Sequence, residues 1–329
     1  MAVSRASVWG LDAASYQRHP LHDESRAWIE KNCYIDVWLE VLHTAKLDPT
    51  PSLAFTLASD FDGEQFTFYK PSHDDLNVLY GVTVQEINVW KPLLEHALIH
   101  AERGRLILTE ADAFYLPDTQ GTDYRTQHVK TTIALETIDV DKKQLGYFHN
   151  AGYFLLEGED FDQTFRLNPE SGARALPLFA ELVRLERVVH LPDAELAARS
   201  TAQLQTWLAR RPTTNPLSRF GQYFASELEH IRSRGLGYYH GFAFSTMRQL
   251  GSGYELSAEY LRWLARHGAS ATSAYETAAR AFDEISSSTK TLVLKGARAA
   301  NSKKPVDFSE VFEEMARNWD TAMSTLDAV

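Results

Sequence analysis

Three residues in this chain have the types that thiol-based acyl transfer requires. Cys33 is the only cysteine and opens the run Asn32-Cys33-Tyr34-Ile35-Asp36-Val37-Trp38-Leu39-Glu40-Val41-Leu42-His43. His128 begins a β-rich run, and Asn150 ends the next one. In such chemistry the Cys is the nucleophile, the His takes its proton and returns one to the leaving group, and the Asn orients the imidazole. Each type also has a plainer use. A lone cysteine is commonly a small core side chain, and single His or Asn residues on strands are commonly structural.

The elements that would position these groups follow from pattern. Apolar residues cover most of the circumference of 35–42, so this stretch is expected to be a buried helix. Asp36, Glu40 and His43 share its one polar stripe. A thiol in the first turn meets free backbone N–H groups and the positive end of the helix dipole, and both favour the thiolate. Residues 105–112, 128–138, 144–150 and 151–156 read as strands, as do 53–58 and 65–69 around the turn Asp60-Phe61-Asp62-Gly63. A hairpin over 128–150 is expected to make His128 and Asn150 neighbours. A short helix over 25–31 is also expected. Beyond about residue 168 the pattern becomes helical: 176–189, 193–210, 216–234, 237–250, 257–267, 270–300 and 308–326. Gly251-Ser252-Gly253 is expected to break that series. The predicted class is therefore α+β: an α+β catalytic domain over 1–168, then an all-α domain over 169–329.

Composition narrows the function. The chain has 329 residues, 44% of them hydrophobic, and a net charge of −11. That charge disfavours nucleic acid as a partner. A single cysteine forms no internal disulfide and suits a reducing, cytoplasmic setting. No apolar run approaches the ~20 residues of a membrane span, and neither a signal peptide nor a zinc-type or phosphate-loop motif is expected. Glu40-Val41-Leu42-His43 and Glu227-Leu228-Glu229-His230 match the Glu-x-x-His pairs of two-metal bundles, but the β-rich region separates them and the pattern is common by chance. No metal or bound cofactor is expected.

Further candidates cluster around the strands. Asp112 ends one strand and would line a cleft near His128, either as acceptor for a substrate ammonium or as an alternative partner orienting His128. Equally, it would brace the loop from Asp118 to Gly121. Tyr115, Asp118, Tyr124 and Arg125 are expected to shape that same substrate-binding loop, and Asn32 stands beside the thiol. His149 is expected on the opposite face of its strand from Asn150. In the helical half, Arg210-Arg211, Arg232-Ser233-Arg234 and Lys303-Lys304 are basic clusters in an acidic chain, suited either to an acidic partner or to helix ends. Tyr238-Tyr239-His240-Gly241-Phe242-Ala243-Phe244 reads as interdomain core.

The stretches 32–38, 112–119, Tyr124-Arg125, 128–133 and 146–153 resemble the signatures of a bacterial family of unknown function whose members are encoded near amino acid–carrier protein ligases. The pattern over roughly residues 25–165 is more distantly similar to the N-terminal domain of butirosin biosynthesis protein H, itself related to cysteine peptidases that process bacteriocin leaders. That likeness implies a papain-like core with its Cys helix packed on an antiparallel sheet. It also implies a substrate arm, the phosphopantetheine thioester of an acyl or aminoacyl carrier protein, and a small amine as acceptor. Papain-like enzymes usually carry a Gln a few residues before the Cys. Here the stretch is Arg26-Ala27-Trp28-Ile29-Glu30-Lys31, so the Cys33 N–H and Asn32 are left as oxyanion donors. The expected function is a cysteine-dependent acyl or aminoacyl transferase through acyl-Cys33. The alternatives are an amidase or peptidase on the same residues, and a non-catalytic carrier-protein adaptor.

Overall fold

A computed structural model describes residues 4–168, 176–268, 270–301 and 306–329. The architecture is α+β, with an antiparallel sheet and a helical C-terminal half. The chain forms two compact units. The first comprises Met1–Asp23, Asn32–Leu47 and Leu76–His190; the second comprises Glu24–Lys31, Asp48–Asp75 and Leu191–Val329.

The first unit is built on seven strands: β1 (Arg5–Ser7), β2 (Thr83–Glu86), β3 (Leu106–Asp112), β4 (Lys130–Asp139), β5 (Gln144–His149), β6 (Gly152–Glu157) and β7 (Ala180–Arg184). Their order is β2-β7-β3-β4-β5-β6, and β1 pairs with the far end of β4 beyond the reach of β3. All pairings are antiparallel. One face carries an apolar core in which Ile107, Ile133, Leu135, Tyr147, Leu156 and Leu182 meet Leu93, Leu94 and Ala97 of a helix at Leu93–Glu102. Helix α1 (Cys33–Thr44) packs against β4, β5 and β6. Its residues from Tyr34 to Leu42 are all buried.

The register of β4 on β5 shifts at Glu136. The extra residue of this bulge aims a buried carboxylate at the N-terminal segment. Glu136 Oε1 accepts the backbone N–H groups of Trp9 (2.6 Å) and Gly10 (2.8 Å), and Oε2 accepts the Tyr153 hydroxyl (2.7 Å). The Tyr153 hydroxyl reaches it across Gly146, where any Cβ would overlap the phenol. Gly146→Ala is therefore expected to cost about 1–3 kcal/mol by overpacking, read as a lower denaturation midpoint with an unchanged m-value.

Several segments depart from the sequence reading. Residues 176–189 contain β7 rather than a helix. β7 fills the slot between β2 and β3, so the sheet extends past the boundary expected at 168. Residues 53–58 lie in a 3-10 helix spanning Thr50–Ala58, and 65–69 contribute a single bridge, Phe61 to Phe66. Residues 25–31 form no helix.

The second unit holds α5 (Asp193–Leu208), α6 (Pro216–Arg234), α7 (Leu236–Ser245), α8 (Met247–His267), α9 (Thr272–Ala300) and α10 (Ser309–Leu326). Helices α2 (His73–Tyr80), α3 (Leu93–Glu102) and α4 (Glu159–Thr164) precede them in the chain. Gly251-Ser252-Gly253 does not break the series, because α8 runs through it. Its glycines admit bulky neighbours: the Trp28 indole lies against Gly251, and the Tyr69 ring lies against Gly253. The Trp28 Nε1–H donates to Ser286 (3.0 Å), and the Tyr69 hydroxyl pairs with Ser252 (2.6 Å). Replacing Gly251 with Ala would drive a methyl into the indole, with an expected loss of about 1–3 kcal/mol and a blue-shifted or broadened Trp emission to report the displaced ring. Residues Lys303-Lys304 lie outside the described residues.

Candidate active site

Cys33 is the first residue of α1. Asn32 caps that helix, its Oδ1 accepting the N–H groups of Tyr34 and Ile35, both at 3.1 Å. The cap fixes where the thiol points and leaves the Cys33 N–H untouched. Asn32 itself is buried, so its oxygen serves the helix rather than an open cleft. The half-buried thiol lies 3.8 Å from the Thr132 hydroxyl on β4.

Sheet alternation then places the other groups. Thr132 and Lys130 share a face, because they are two residues apart on β4. Asp112 stands directly opposite Lys130, and Glu110 opposite Thr132. Asp112 Oδ2 lies 2.6 Å from His128 Nδ1. The thiol, Thr132, Asp112 and His128 therefore belong to one face of the sheet. With Nδ1–H donated to Asp112, the free Nε2 is the basic nitrogen. The imidazole also stacks on Phe114 (4.4 Å between centroids, 16° between planes) and is well exposed.

The partner of His128 is thus Asp112 and not Asn150. Extending the β4–β5 register from Ala134 opposite Phe148 sets Asn150 level with Thr132. That is four residues from His128, or about 13 Å along the strand. Asn150 sits in the β5–β6 turn with a positive φ of 43°. The expected neighbourhood failed because the hairpin turn lies at 139–144 and its register, not the strand ends, decides which residues meet. Among the described residues no hydrogen bond joins Cys33 to His128; the thiol turns to Thr132.

The loop candidates divide. Tyr124 donates to Asp160 (2.9 Å), and Arg125 reaches the same carboxylate (2.5 Å). The Arg125 guanidinium also lies over Phe114 and Tyr115, so these side chains form a braced wall beside His128. Asp118 is buried on the other face of the sheet. It accepts the Tyr147 hydroxyl (2.5 Å) and lies 2.6 Å from His149 Nδ1, while His149 Nε2 meets Thr131 (2.8 Å). Asp118 is therefore a core carboxylate, turned away from Cys33, and no open substrate position.

Sequence reasoning missed the group beneath the Cys33 helix. His22 is fully buried between Asp36 (2.9 Å from Nε2) and Glu40 on Nδ1. A ring between two carboxylates donates from both nitrogens only as imidazolium. Glu40 also accepts the Tyr16 hydroxyl (2.5 Å) and the His19 N–H (3.0 Å). Burial pushes the Glu40 carboxyl up, but the hydrogen bonds and charge of His22, with Tyr16 and His19, outweigh it and hold it below the ordinary value. A depressed carboxylate stabilises the fold above its unfolded pKa, near 4.3, and that contribution is lost as pH falls through the lower folded value. Glu40→Gln is expected to lower stability at pH 7 and to flatten the acid limb of the stability–pH curve below about 4.3, measured by urea unfolding across pH. The signal that would have found this group is the polar stripe at 36 and 40 on an otherwise apolar helix. The Glu-x-x-His pattern at 40–43, already discounted, forms no pair of its own among the described residues, since Glu40 bonds His22. The second such pattern is exposed, with His230 4.0 Å from Glu227.

No helix among the described residues is long and apolar enough to cross a membrane. Residues 17–185 match the DUF1839 N-terminal domain, and residues 193–328 match the DUF1839 C-terminal domain. No curated protein matches the chain.

Proposed function

We propose that this chain, which belongs to the two-domain DUF1839 family of unknown function, is a cysteine-dependent acyl or aminoacyl transferase with a papain-like plan. The observation that carries the reading is the His128–Asp112 pair at 2.6 Å on the same sheet face as a thiol at a helix N-terminus. Because that thiol stands at Thr132, four residues along from His128, the reading requires the well-exposed His128 ring to move toward Cys33 when substrate binds. Cys33 attacks the carbonyl of a carrier-protein phosphopantetheine thioester. The new C–S bond forms, the pantetheine C–S bond breaks, and pantetheine leaves as the thiol, carrying the proton taken from Cys33. An amine then attacks acyl-Cys33, His128 Nε2 accepts its proton, and the amide departs as the thiol is restored. Thioester exchange is near-neutral in free energy, so it does not demand the strong oxyanion hole of a peptidase. An amide in place of the thioester, with water in place of the amine, would make the same site an amidase or peptidase. The place of action is the cytoplasm.

This plan reassigns the orienting group from Asn150 to Asp112, which precedes His128 in the chain. Asp112→Asn keeps the size but reverses the tautomer preference of the ring. It is expected to slow amine transfer by roughly 10²–10⁴-fold, by analogy with triad carboxylate replacement, while Asn150→Ala stays within a few-fold of the parent chain. Equal losses in the two variants would sink the reassignment. The central test is intact-mass detection of acyl-Cys33 after incubation with loaded carrier protein.

One observation favours a second reading, the non-catalytic adaptor: the thiol is turned to Thr132. Alkylation separates the two. A His-activated thiolate reacts rapidly with iodoacetamide at neutral pH, whereas a hydroxyl-bonded core thiol resists.

A further inference from the structure

The expectation that 238–244 forms core is corrected: of α7 only Tyr239 and Ala243 are buried. The buried charge of the helical unit lies elsewhere, between α8 and the segment at 24–31. Residues 25–31 form neither helix nor strand, yet side chains of α8 and α9 hold them at nearly every position. Arg26 pairs with Glu259 (2.8 Å), and Glu30 with Arg248 (3.2 Å). The Ala27 N–H donates to Glu255 Oε1 (3.2 Å), and the Ala27 carbonyl accepts from Lys290 (2.8 Å). The Trp28 indole is fixed at Ser286 and Gly251. The last residue of the segment, Lys31, is fully buried. Its ammonium donates to the carbonyls of Trp28 (2.6 Å) and Ile29 (3.1 Å), and lies 3.8 Å from Glu255 Oε2. Glu255 is buried too. Burial raises its carboxyl above the ordinary value, and the charges of Lys31 and Arg26, with the N–H groups of Trp28 and Ala27, offset that only in part.

We infer that Lys31 and Glu255 are positioning residues for Cys33. A buried pair that meets at 3.8 Å is a poor source of stability, because the desolvation of two charges can exceed their attraction. What the ammonium adds is geometry. It gathers the carbonyls of residues 28 and 29 around one point, and Glu255 holds that point from α8 while its other oxygen takes the Ala27 N–H. The course of the chain at residue 31 is thereby fixed. Asn32 follows at once and caps α1 by accepting the Tyr34 and Ile35 N–H groups. Cys33 comes next, two peptide bonds from Lys31. With no Gln in the stretch before it, the Cys33 N–H is the donor left to meet an oxyanion, so its direction matters as much as that of the thiol. Resting on the function proposed above, the pair sets how both groups meet the thioester carbonyl. A misplacement of about 1 Å at a reacting group costs on the order of 10²-fold in rate.

The test compares the full chain with Lys31→Met, Glu255→Gln and the two changes together, each checked for folding by circular dichroism and urea unfolding. Gln at 255 keeps an acceptor for the Ala27 N–H. Either single change strands a buried charge, so the double variant is expected to lose less stability than either one. Two readouts on the folded double variant then separate positioning from stability. Amide exchange at Tyr34 and Ile35, which reports the Asn32 cap, is expected to speed up at least 10-fold more than exchange at Val37 to Leu42 in the same helix. Acyl-Cys33 formation from acyl-pantetheine is expected to fall at least 10-fold in maximal rate, with the half-saturating concentration within a few-fold of the parent. If the parent chain itself is never acylated, the transferase reading fails, and faster exchange confined to residues 34 and 35 still establishes the positioning role. Cap exchange and acylation at parent levels overturn the inference. So does exchange that rises equally along α1, or a double variant that does not fold, since either makes the pair a matter of stability alone.

Discussion

Cys33→Ser is expected to abolish acyl-enzyme formation while leaving a folded protein that still binds its carrier. Serine fits the same helix start, below the same Asn32 cap, and keeps a hydrogen-bond donor for Thr132. What it lacks is nucleophilicity: a thiol is a few per cent ionised at pH 7 and highly reactive, whereas an alcohol needs strong activation to attack a thioester. Turnover should fall by at least about 10³-fold, the scale on which loss of a covalent catalytic member is felt. His128→Ala should fail differently. The thiol survives without its base, so acylation slows but recovers as hydroxide rises, while transfer to the amine stays slow because its proton has no acceptor in the site. Intact-mass kinetics from pH 6 to 9 on both variants would show this. Full transfer activity in Cys33→Ser would exclude the covalent route and leave the adaptor reading in possession.

The second large effect concerns the chain itself. A truncated chain ending at residue 168 is expected to be insoluble. It loses β7, so β2 has no partner and the Leu106–Thr109 edge of β3 lies open, an invitation to aggregate. Ending at residue 190 restores the sheet but not solubility. Trp28, Leu53, Phe55, Leu57, Phe61, Phe66 and Tyr69 are all buried within segments that belong to the helical unit. Exposing seven such side chains forfeits about 10–20 kcal/mol, at 1.5–3 kcal/mol each. That is as large as the whole stability of an ordinary domain, about 5–15 kcal/mol. Soluble yield and sedimentation of both truncations decide the matter, and a monodisperse, folded 1–190 would contradict it. Supplying 191–329 on a second plasmid should restore part of the solubility of 1–190.

Much of the sheet was legible. Residues 106–112, 130–139, 144–149 and 152–157 alternate or run β-branched between turn residues, and each is a strand. What misled was burial on every side. Residues 50–58 are buried in all but the last position, and an apolar run without period reads equally as strand or helix. Residues 180–184 carry a helix-compatible pattern, but β3 and β2 both offer open edges there, and pairing overrides propensity. The glycines of α8 were read as punctuation, whereas they are clearances for Trp28 and Tyr69. Cys33 and His128 entered the candidate site by type and order alone, and among the described residues no hydrogen bond joins them. Asp112 entered as one of two options for orienting the ring, and only the β3–β4 register decides between it and Asn150. The Thr132 contact and the Phe114 stack depend on the same register, and no sequence spacing announces them.

The division of the chain also sets an order of events during synthesis. The sheet unit is complete once residue 190 has left the ribosome, but 24–31 and 48–75 belong with helices encoded after it. Those helices are still about 140 residues from completion, the difference between 329 and 190. At ~5–20 residues per second the aromatic segments around Trp28 and Phe61 wait roughly 7–28 s without their partners. A nascent chain of this design should therefore lean on ribosome-associated chaperones more heavily than its folded stability would suggest. Slowing translation after residue 190 should lower the soluble fraction rather than raise it.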